Sequence, residues 1–307
     1  MSNTDNKTYT GWKKWKPTNE EWATFSVEPY APFDMKENEY LLVYYNDENG
    51  TERLSAQYCM EGGKLKKFGR SSISWSFSDF KIDENGEIKQ NKQSKKILRT
   101  ITPINDEQIA AFDLMNNDEI PLKVLCGSYG SGKTLLTCTK AVEMLITGKV
   151  EKIVWLRNMI SVKNVGGLGY LPGSIQEKVF PWIQPIIDNL KSEAAVIHMI
   201  KNGQLEIAAL EHIRGRCFEN CAVVCSESQN LDEDLVKLII GRIGKGSYLF
   251  FEGDFKQTDR LVFEKSPGMK TLIDDLAGEK LFGYVYMPVD ERSPVARLAE
   301  KIGNKNK

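Results

Sequence analysis

A glycine-rich segment at residues 127–134, GSYGSGKT, has residue types and a spacing suited to holding phosphate. Its glycines let the backbone curl tightly and turn its N–H groups inward, which makes a nest for an anion. Lys133 supplies a positive charge for the outer phosphates, and Thr134 supplies a hydroxyl for Mg²⁺. The residues that we predict to bind the phosphates are Gly127, Ser128, Tyr129, Gly130, Ser131, Gly132, Lys133 and Thr134.

The neighbouring sequence gives this segment the context that such a loop requires. The apolar run PLKVLCG (121–127) predicts a strand before it, and KTLLTCTKAVEMLITG (133–148) has helical spacing after it. The N-terminus of a helix carries partial positive charge and free N–H groups, both of which favour phosphate. We therefore predict that the segment binds a nucleoside triphosphate and is not a chance glycine-rich turn.

A second segment, VVCSESQN (223–230), places a carboxylate, Glu227, at the end of a strand-like run. Ser226 stands before it, where many nucleotide hydrolases have an aspartate. A carboxylate brings charge to a hard cation, whereas a hydroxyl brings only a dipole. The candidate metal-site residues are Thr134, Ser226 and Glu227. We expect the serine to weaken Mg²⁺ retention and slow turnover, while hydrolysis persists, because phosphoryl transfer depends mainly on positioning and charge stabilisation.

A third candidate lies at the start of a predicted helix, PINDEQIAAF (103–112). Asn105 can cap this helix, and Gln108, three residues later, can close a capping box. The same Gln108 amide could instead contact an adenine edge, since it offers a donor and an acceptor together. The residues alone leave both interpretations open.

The elements that must position these residues alternate between strand and helix after residue 100. Further strands are predicted at 152–157, 220–227, 248–254 and 282–288, and further helices at 232–244, 267–278 and 293–303, the last with Ser293 as its cap and Pro294 in its first turn. This alternation predicts an α/β fold with a mainly parallel sheet covered by helices on both faces.

The first 100 residues have a different character. Four of the six tryptophans lie there, and strand-like runs at 39–45 and 72–80 are separated by turn sequences. The polar, basic stretch 89–96 has the composition of a linker. We predict a small β-rich N-terminal module with a basic linker over residues 1–100, without deciding between a meander and a barrel, and a second domain over 101–307.

The bulk composition excludes some classes of protein. The formal net charge is −1, so any nucleic-acid surface must be local. No apolar run approaches the length of a membrane span, and no secretory leader is visible at the N-terminus, so we expect no membrane association and a cytoplasmic setting. Six scattered cysteines with only two histidines favour free thiols over disulfides or a metal site.

Taken together, residues 101–300 resemble the PhoH-like ATPases, a family similar to the N-terminal motor half of superfamily 1 helicases. The segments that carry the resemblance are 103–114, 127–134, 166–190, 211–230, 241–259 and 290–302. The resemblance implies a RecA-like P-loop fold. Longer relatives carry a PIN nuclease domain in front, for which about 100 residues are too few. We therefore do not expect nuclease activity.

The resemblance also implies roles for individual residues. Gln108 matches the adenine-sensing glutamine, and Glu227 matches the catalytic glutamate that orients and deprotonates the attacking water. Gln257, in GDFKQ (253–257), matches the sensor of the γ-phosphate. The family pattern at 226–230 is DEAQN and this chain has SESQN, so Ser226 replaces the acidic residue that steadies Mg²⁺. The implied cofactors are ATP and Mg²⁺, and the implied activity is ATP hydrolysis coupled to RNA.

An arginine at the developing charge would assist the reaction, from the same chain or from a neighbour. The candidate catalytic arginines are Arg214 and Arg292, with Arg216 and Arg242 as further possibilities; each could equally be a surface or ion-pairing residue. The chain shows one motor lobe, so we expect a neighbouring subunit to complete the site in a homo-oligomeric ring, plausibly a hexamer.

Contacts to RNA or another single-stranded nucleic acid are expected at a glycine-rich loop, 164–174, where Tyr170 could stack on a base and Lys163 could meet a phosphate. A packing loop or a subunit contact is an equally good account. The basic clusters 64–70 and 89–96 are better explained as solvated turns, with RNA contact as the alternative.

Two functions follow from these observations. The first is an Mg²⁺-dependent ATPase that acts on RNA, with helicase-like or remodelling activity. The alternative is an ATP-gated oligomeric binding module with weak or no hydrolysis, because Ser226 replaces the usual aspartate.

Overall fold

The computed structural model describes residues 11–68, 75–76, 80–82, 85, 87–90, 100–157, 175–254, 267–296 and 298. Its strands are β1 (Trp12–Trp15), β2 (Tyr40–Asn46), β3 (Glu52–Glu61), β4 (Lys64–Phe68), β5 (Trp75–Ser76), β6 (Phe80–Ile82), β7 (Ile88–Gln90), β8 (Thr100–Ile101), β9 (Leu122–Gly127), β10 (Lys152–Arg157), β11 (Leu205–Ala209), β12 (Cys221–Ser226), β13 (Tyr248–Gly253) and β14 (Phe282–Met287). Its α-helices are α1 (Asn19–Val27), α2 (Asp106–Asn116), α3 (Lys133–Ile146), α4 (Ile175–Leu190), α5 (Glu193–Lys201), α6 (Glu233–Ile240) and α7 (Gly268–Leu276).

The centre of the molecule is a six-stranded sheet in the order β11-β10-β12-β13-β9-β14, and every pairing in it is parallel. Its strands are short apolar runs buried on both faces, as a sheet covered on both sides requires. Helices α2 to α5 contribute to the apolar cluster on one face, and α6 and α7 contribute to the cluster on the other. The predicted α/β fold with a parallel sheet between helices is confirmed.

The strand order determines where a ligand can bind. The chain leaves β9 through α3 and enters β10, which lies beyond β13 and β12 in the sheet. In open parallel sheets, ligands bind at the carboxyl ends of the strands beside such a change in direction. The loop 127–134 leaves the carboxyl end of β9 at this edge, and the segment that contains Ser226 and Glu227 leaves β12 at the same edge.

The N-terminal residues form a mixed four-stranded sheet, β1-β2-β3-β4, in which β1 is parallel to β2 and the other pairs are antiparallel. Helix α1 begins with a capping box between Thr18 and Glu21. Phe25 from this helix packs edge-on against Trp15 and Tyr58, at ring separations of 4.8 and 5.0 Å. Two further two-stranded pairs, β5 with β8 and β6 with β7, follow in the chain.

The N-terminal sheet contacts the larger sheet along β14 and α2. Trp12 Nε1 donates to the Tyr286 carbonyl at 2.8 Å, and the Asn38 side-chain amide donates to the Phe282 carbonyl at 2.8 Å. Tyr40 belongs to the apolar cluster that contains α2 and α3. The two parts therefore share a core, and the boundary near residue 100 stays a prediction about sequence organisation.

Most of the predicted elements after residue 100 are present. The strands at 122–127, 152–157, 221–226, 248–253 and 282–287 lie within a residue of their predicted bounds. The sequence does not predict strand β11 or helices α4 and α5. Ser293 Oγ accepts the N–H of Ala296 at 3.0 Å as a helix cap would, but residues 294–295 form a turn; most of the predicted helix 293–303 lies outside the described residues.

Helices long and apolar enough to span a bilayer are not found in the described part of the chain.

Candidate functional site

The loop after β9 has a backbone that glycine alone adopts easily. Gly127, Gly130 and Gly132 have φ angles of 148°, 64° and 98°. A Cβ on Gly130 would stand 2.1 Å from Asp290 Oδ1, and a Cβ on Gly127 would stand 2.0 Å from the Met287 carbonyl oxygen. The three glycines thus allow both the left-handed turns and the close approach of the chain after β14.

The loop leads into a helix whose N-terminus is not capped by a side chain. Helix α3 starts at Lys133 after Gly132, which offers no side chain to cap it, and its first turn contains no acidic residue. Free N–H groups and the helix dipole together favour an anion at this position. Lys133 Nζ donates to the carbonyls of Gly127 and Ser128, each at 2.8 Å, so the ammonium lies across the loop. Burial lowers the pKa of Lys133.

A cavity of about 350 Å³ opens at this loop. It brings together the loop 127–134, called the P-loop from here on, the end of β12, the end of β13 and the segment after β14. The residues that line it are Tyr129, Gly130, Gly132, Lys133, Thr134, Leu135, Asn189, Glu227, Gln229, Glu252, Gly253, Asp254 and Arg292. Of the predicted residues, the P-loop glycines, Lys133, Thr134, Glu227 and Arg292 therefore converge on one space.

Glu227 has a strained backbone at the end of β12. Its φ of 56° is in the left-handed region, which a non-glycine residue occupies at a cost and in which residues of active sites and ligand-binding segments recur. Gln229 Nε2 donates to Glu227 Oε2 at 2.7 Å, and Gln229 Oε1 accepts the N–H of Asp254 at 3.2 Å. Gln229 therefore connects the loops after β12 and β13, a role that sequence reasoning missed because it depends on strand pairing.

Glu252, near the end of β13, is a second residue that sequence reasoning missed. Its side chain is 3% exposed, and Oε2 accepts a hydrogen bond from Thr137 Oγ1 at 2.9 Å. Burial raises the pKa of Glu252 to about 7, against hydrogen bonds with Thr137 and Thr134 and the charge of Lys133, all of which lower it. An available signal was a charged residue inside the apolar run YLFFEG.

Ser226 is 7% exposed at the end of β12 and is not among the residues that line the cavity. Gln257, the predicted γ-phosphate sensor, and the loop 164–174 with Lys163 and Tyr170 lie outside the described residues. Their predicted roles stay predictions.

A second cavity, also about 350 Å³, adjoins the first and shares Gly130, Gly132 and Leu135 with it. Gln108 and Phe112 line this second cavity. Gln108 Nε2 donates to the Ser131 carbonyl at 3.0 Å, and Gln108 Oε1 accepts the N–H of Ile104 at 2.9 Å. Asn105 does cap α2, but the glutamine amide bonds to the residue before the cap and to the P-loop instead of closing the predicted capping box.

The four candidate arginines differ in their position relative to the first cavity. Arg292 is exposed, lines the first cavity, and follows Asp290, whose Oδ1 accepts the Arg292 N–H at 2.7 Å. Arg214 is exposed and does not line this cavity. Arg216 is held 2.5 Å from Glu206 Oε1 and lies over the Phe218 ring, which indicates a structural role. Arg242 Nη1 contacts the Arg216 carbonyl at 3.4 Å.

The residues present fit the groups that the sequence implies. Three glycines shape a loop against an uncapped helix N-terminus, which suits a polyphosphate, and a lysine lies across it. Thr134, Glu227 and Glu252 offer oxygen atoms of the kind that Mg²⁺ prefers, on one cavity. Within the described residues there is no cluster of three or more histidine, cysteine, aspartate or glutamate side chains that would hold a metal ion by itself, so phosphate oxygens would have to complete such a site.

The fold and this site define the class of protein: an α/β protein of the P-loop nucleotide-binding type. Residues 100–302 match the sequence pattern of the family described as PhoH-like protein. Because this match covers about two thirds of the chain, the chain belongs to the PhoH-like family, whose members generally bind ATP.

Similar proteins are found in several bacteria. Protein PhoH2 of Mycolicibacterium smegmatis is 34% identical over 202 residues, which are 64% of this chain and 46% of that protein. Protein PhoH2 of Bacillus subtilis is 34% identical over 213 residues, 66% of this chain and 47% of that protein. The PhoH-like protein of Bacillus subtilis is 34% identical over 176 residues, 56% of this chain and 53% of that protein. The chain thus spans about half the length of the curated relatives that it matches.

Proposed function

We propose that the protein is an Mg²⁺-dependent ATPase. The observation that carries this proposal is the convergence of Lys133 and Thr134 from α3 with Glu227 from the end of β12 on one cavity. A cation and helix N–H groups on one side and a carboxylate on the other are what a phosphoryl group and an attacking water require.

The adjoining cavities suggest how ATP is held. The triphosphate lies against the backbone N–H groups of residues 127–134, where Lys133 offsets its charge. The base enters the second cavity, beside Phe112 and Gln108, because the two cavities share three residues of the P-loop region. The Gln108 amide already bonds to Ser131 in the loop, so a contact with adenine would be transmitted directly to the phosphate-binding backbone.

Hydrolysis is assigned to residues that line the first cavity. Glu227 accepts the proton of the attacking water at its carboxylate, and Gln229 holds that carboxylate in place. Arg292 meets the charge that develops on the outer phosphate, and Thr134 would hold Mg²⁺ through its hydroxyl. When bound, Mg²⁺ would neutralise phosphate charge.

Action on RNA and assembly into a ring are further parts of the proposal. Action on RNA is supported by the family resemblance. Assembly is supported by the exposed side of the cavity, where Tyr129 is 47% exposed and Arg292 is also exposed. Arg214 is exposed and does not line its own cavity, so in a ring its role would be at a neighbouring subunit's site. Molecular mass measured by light scattering with ATP present tests assembly, and a monomer alone would contradict it.

The ATPase proposal is tested by phosphate release and ATP affinity in the purified protein, with Mg²⁺ and with or without single-stranded RNA. We expect Lys133→Ala to reduce ATP affinity by roughly tenfold or more and to reduce release to background, because it removes the cation that opposes the triphosphate. Lys245→Ala is the matched control, since Lys245 is exposed and does not line the cavity. RNA should raise the rate.

Two outcomes would change this conclusion. Phosphate release that survives Lys133→Ala unchanged would contradict the assignment of the site. Tight ATP binding by the parent protein without any release would instead support the ATP-gated binding module, for which the loss of an aspartate at Ser226 is the motivating observation.

A further inference from the structure

Residues 226 and 252 lie side by side on two neighbouring strands of the central sheet. Strands β12 and β13 are parallel, and their paired residues run from Ala222 with Tyr248 to Cys225 with Phe251. Continuing this register by one residue sets Ser226 beside Glu252. Residues at one level of neighbouring parallel strands point to the same face of the sheet, about 4.8 Å apart. Glu252 is therefore at the level of the serine but one strand nearer to the P-loop strand β9.

The surroundings of Glu252 point toward the phosphate site. Thr137 Oγ1 donates to its carboxylate at 2.9 Å, and Thr134, which lines the same cavity as Glu252, approaches the same carboxyl group. Thr134 is the P-loop residue whose hydroxyl is expected to hold Mg²⁺. Glu252 lines the cavity with Lys133 and Glu227, whereas Ser226 does not.

We propose that Glu252 supplies the carboxylate that supports the Mg²⁺ ion of bound ATP, a role that the family pattern gives to an acidic residue at position 226. This inference rests on the proposed function. In this chain the acidic residue therefore lies on β13, at Glu252, instead of at position 226 on β12. Mg²⁺ bound with a nucleotide takes one or two protein carboxylates together with phosphate oxygens and waters, and an oxygen beside the Thr134 hydroxyl is suitably placed to serve.

A purely structural role for Glu252 makes a different prediction. In that case the carboxylate would only accept hydrogen bonds from α3 and so join this helix to β13. Its replacement would then change stability, and the effect of Mg²⁺ on nucleotide affinity would stay the same. The dependence of affinity on the metal is a property that only the proposed role would alter.

The test measures the dissociation constant of a fluorescent ATP analogue, mant-ATP, in Mg²⁺ and in EDTA for each variant. The ratio of the constant in EDTA to the constant in Mg²⁺ gives the metal enhancement, which is the factor by which Mg²⁺ raises the affinity for mant-ATP. We expect Glu252→Gln to reduce the enhancement by roughly tenfold or more, as loss of a group that supports a metal does. Affinity in EDTA should be unchanged or higher, because a carboxylate that repels the triphosphate has been removed. Mn²⁺ bound with ATP, counted by electron paramagnetic resonance, should fall in parallel.

Two further variants locate the carboxylate. Ser226→Ala should keep the enhancement, because this serine does not line the cavity. The double variant Glu252→Gln/Ser226→Asp should recover much of it by returning the acid to the neighbouring strand. Glu252→Met is a second variant for the case in which Glu252→Gln folds poorly, because methionine is similar in length and compatible with burial. It should also reduce the metal enhancement of mant-ATP affinity. Circular dichroism and thermal unfolding establish that each variant is folded.

The results separate this inference from the function on which it rests. Full enhancement in Glu252→Gln or Glu252→Met would overturn the inference, and so would its loss in Ser226→Ala. A wild-type protein that binds mant-ATP in neither Mg²⁺ nor EDTA would instead overturn the proposed function. Binding by the wild type with a metal enhancement that the glutamine variant lacks supports both.

Discussion

At the scale of single residues, the site depends on side chains that are fixed by neighbours from other strands. Glu227 is held in a left-handed backbone conformation and by the amide of Gln229. Such a conformation costs roughly 1–3 kcal/mol and persists only where the surrounding structure enforces it. The same geometry turns the carboxylate into the cavity, next to the P-loop.

The role of Glu227 can be separated from ATP binding. We expect Glu227→Gln to lower the rate of phosphate release by about 10²–10⁴-fold, because it removes the base that accepts the proton of the water. ATP affinity should change little, since the amide keeps the size of the side chain and the P-loop is intact. Single-turnover release and equilibrium ATP binding measure the two effects.

Glu279→Gln is the control for that comparison, because Glu279 is exposed and does not line the cavity. A fall of less than about threefold in the rate for Glu227→Gln would exclude Glu227 as the base.

At the scale of elements, the sequence predicts the strands and helices whose signals are local. It does not predict which strands pair in the sheet. The strand, glycine loop and helix at 121–148 could be predicted because each element is specified within its own residues. The positions of Glu252 and Gln229 could not, because they follow from the order β12-β13-β9, which no single segment encodes. Helix α5 and strand β11 were missed because both are short and lie between stronger patterns. Helix α4 was missed because its sequence contains Pro181 and Pro185, which interrupt a helical pattern.

Strand β9 contains a buried cation that should lower the stability of the fold at neutral pH. Lys123 is fully buried, and its ammonium has no hydrogen-bond partner in the described part of the chain; the rings of Tyr248 and Phe250 lie 5.4 and 5.5 Å away. Burial, together with the charges of Lys140 and Lys149, lowers the pKa of Lys123 to about 7, while the charge of Asp118 acts in the opposite direction.

The direction of the pH effect follows from this shift. Between about pH 7 and pH 10, the unfolded chain holds a proton on Lys123 that the folded chain has released, so the unfolding free energy rises with pH. We expect Lys123→Met to raise the unfolding free energy by about 4 kcal/mol at pH 7, and to lose most of this advantage near pH 10. Urea unfolding at both pH values measures it.

Lys245→Met, at an exposed site, should change stability by less than about 0.5 kcal/mol at either pH. A destabilising effect of Lys123→Met that is equal at pH 7 and pH 10 would show that the lysine is not a buried charge.

At the scale of the whole molecule, the N-terminal sheet is part of the core that supports the site. Tyr40 shares an apolar cluster with α2 and α3, and Tyr44 OH donates to Asp106 at the start of α2 at 2.8 Å. Helix α2 in turn carries Gln108, which bonds to the P-loop. The composition of the first 100 residues predicted a β-rich module, but its contact with β14 could not be predicted, since it depends on side chains such as Asn38 that reach distant carbonyls.

This contact predicts cooperative unfolding. The Asn38 amide donates to the carbonyls of Glu279, Lys280 and Phe282, and Asn38 has a φ of 61°, which glycine tolerates. We expect Asn38→Gly to lower the unfolding free energy of the entire chain by about 1–3 kcal/mol, because it leaves these carbonyls unpaired. Calorimetry should show one transition moved to lower temperature.

Asn49→Gly, at an exposed turn, controls for the added flexibility of glycine. Two separate transitions, of which Asn38→Gly moves only one, would contradict a shared core.

The most direct measurement of the central claim is a crystal structure of the protein with Mg²⁺ and a non-hydrolysable ATP analogue. We predict that the triphosphate lies against the backbone amides of residues 127–134 at the start of α3, with its outer phosphate facing Glu227. An analogue bound elsewhere on the molecule, with this loop left empty, would contradict the account.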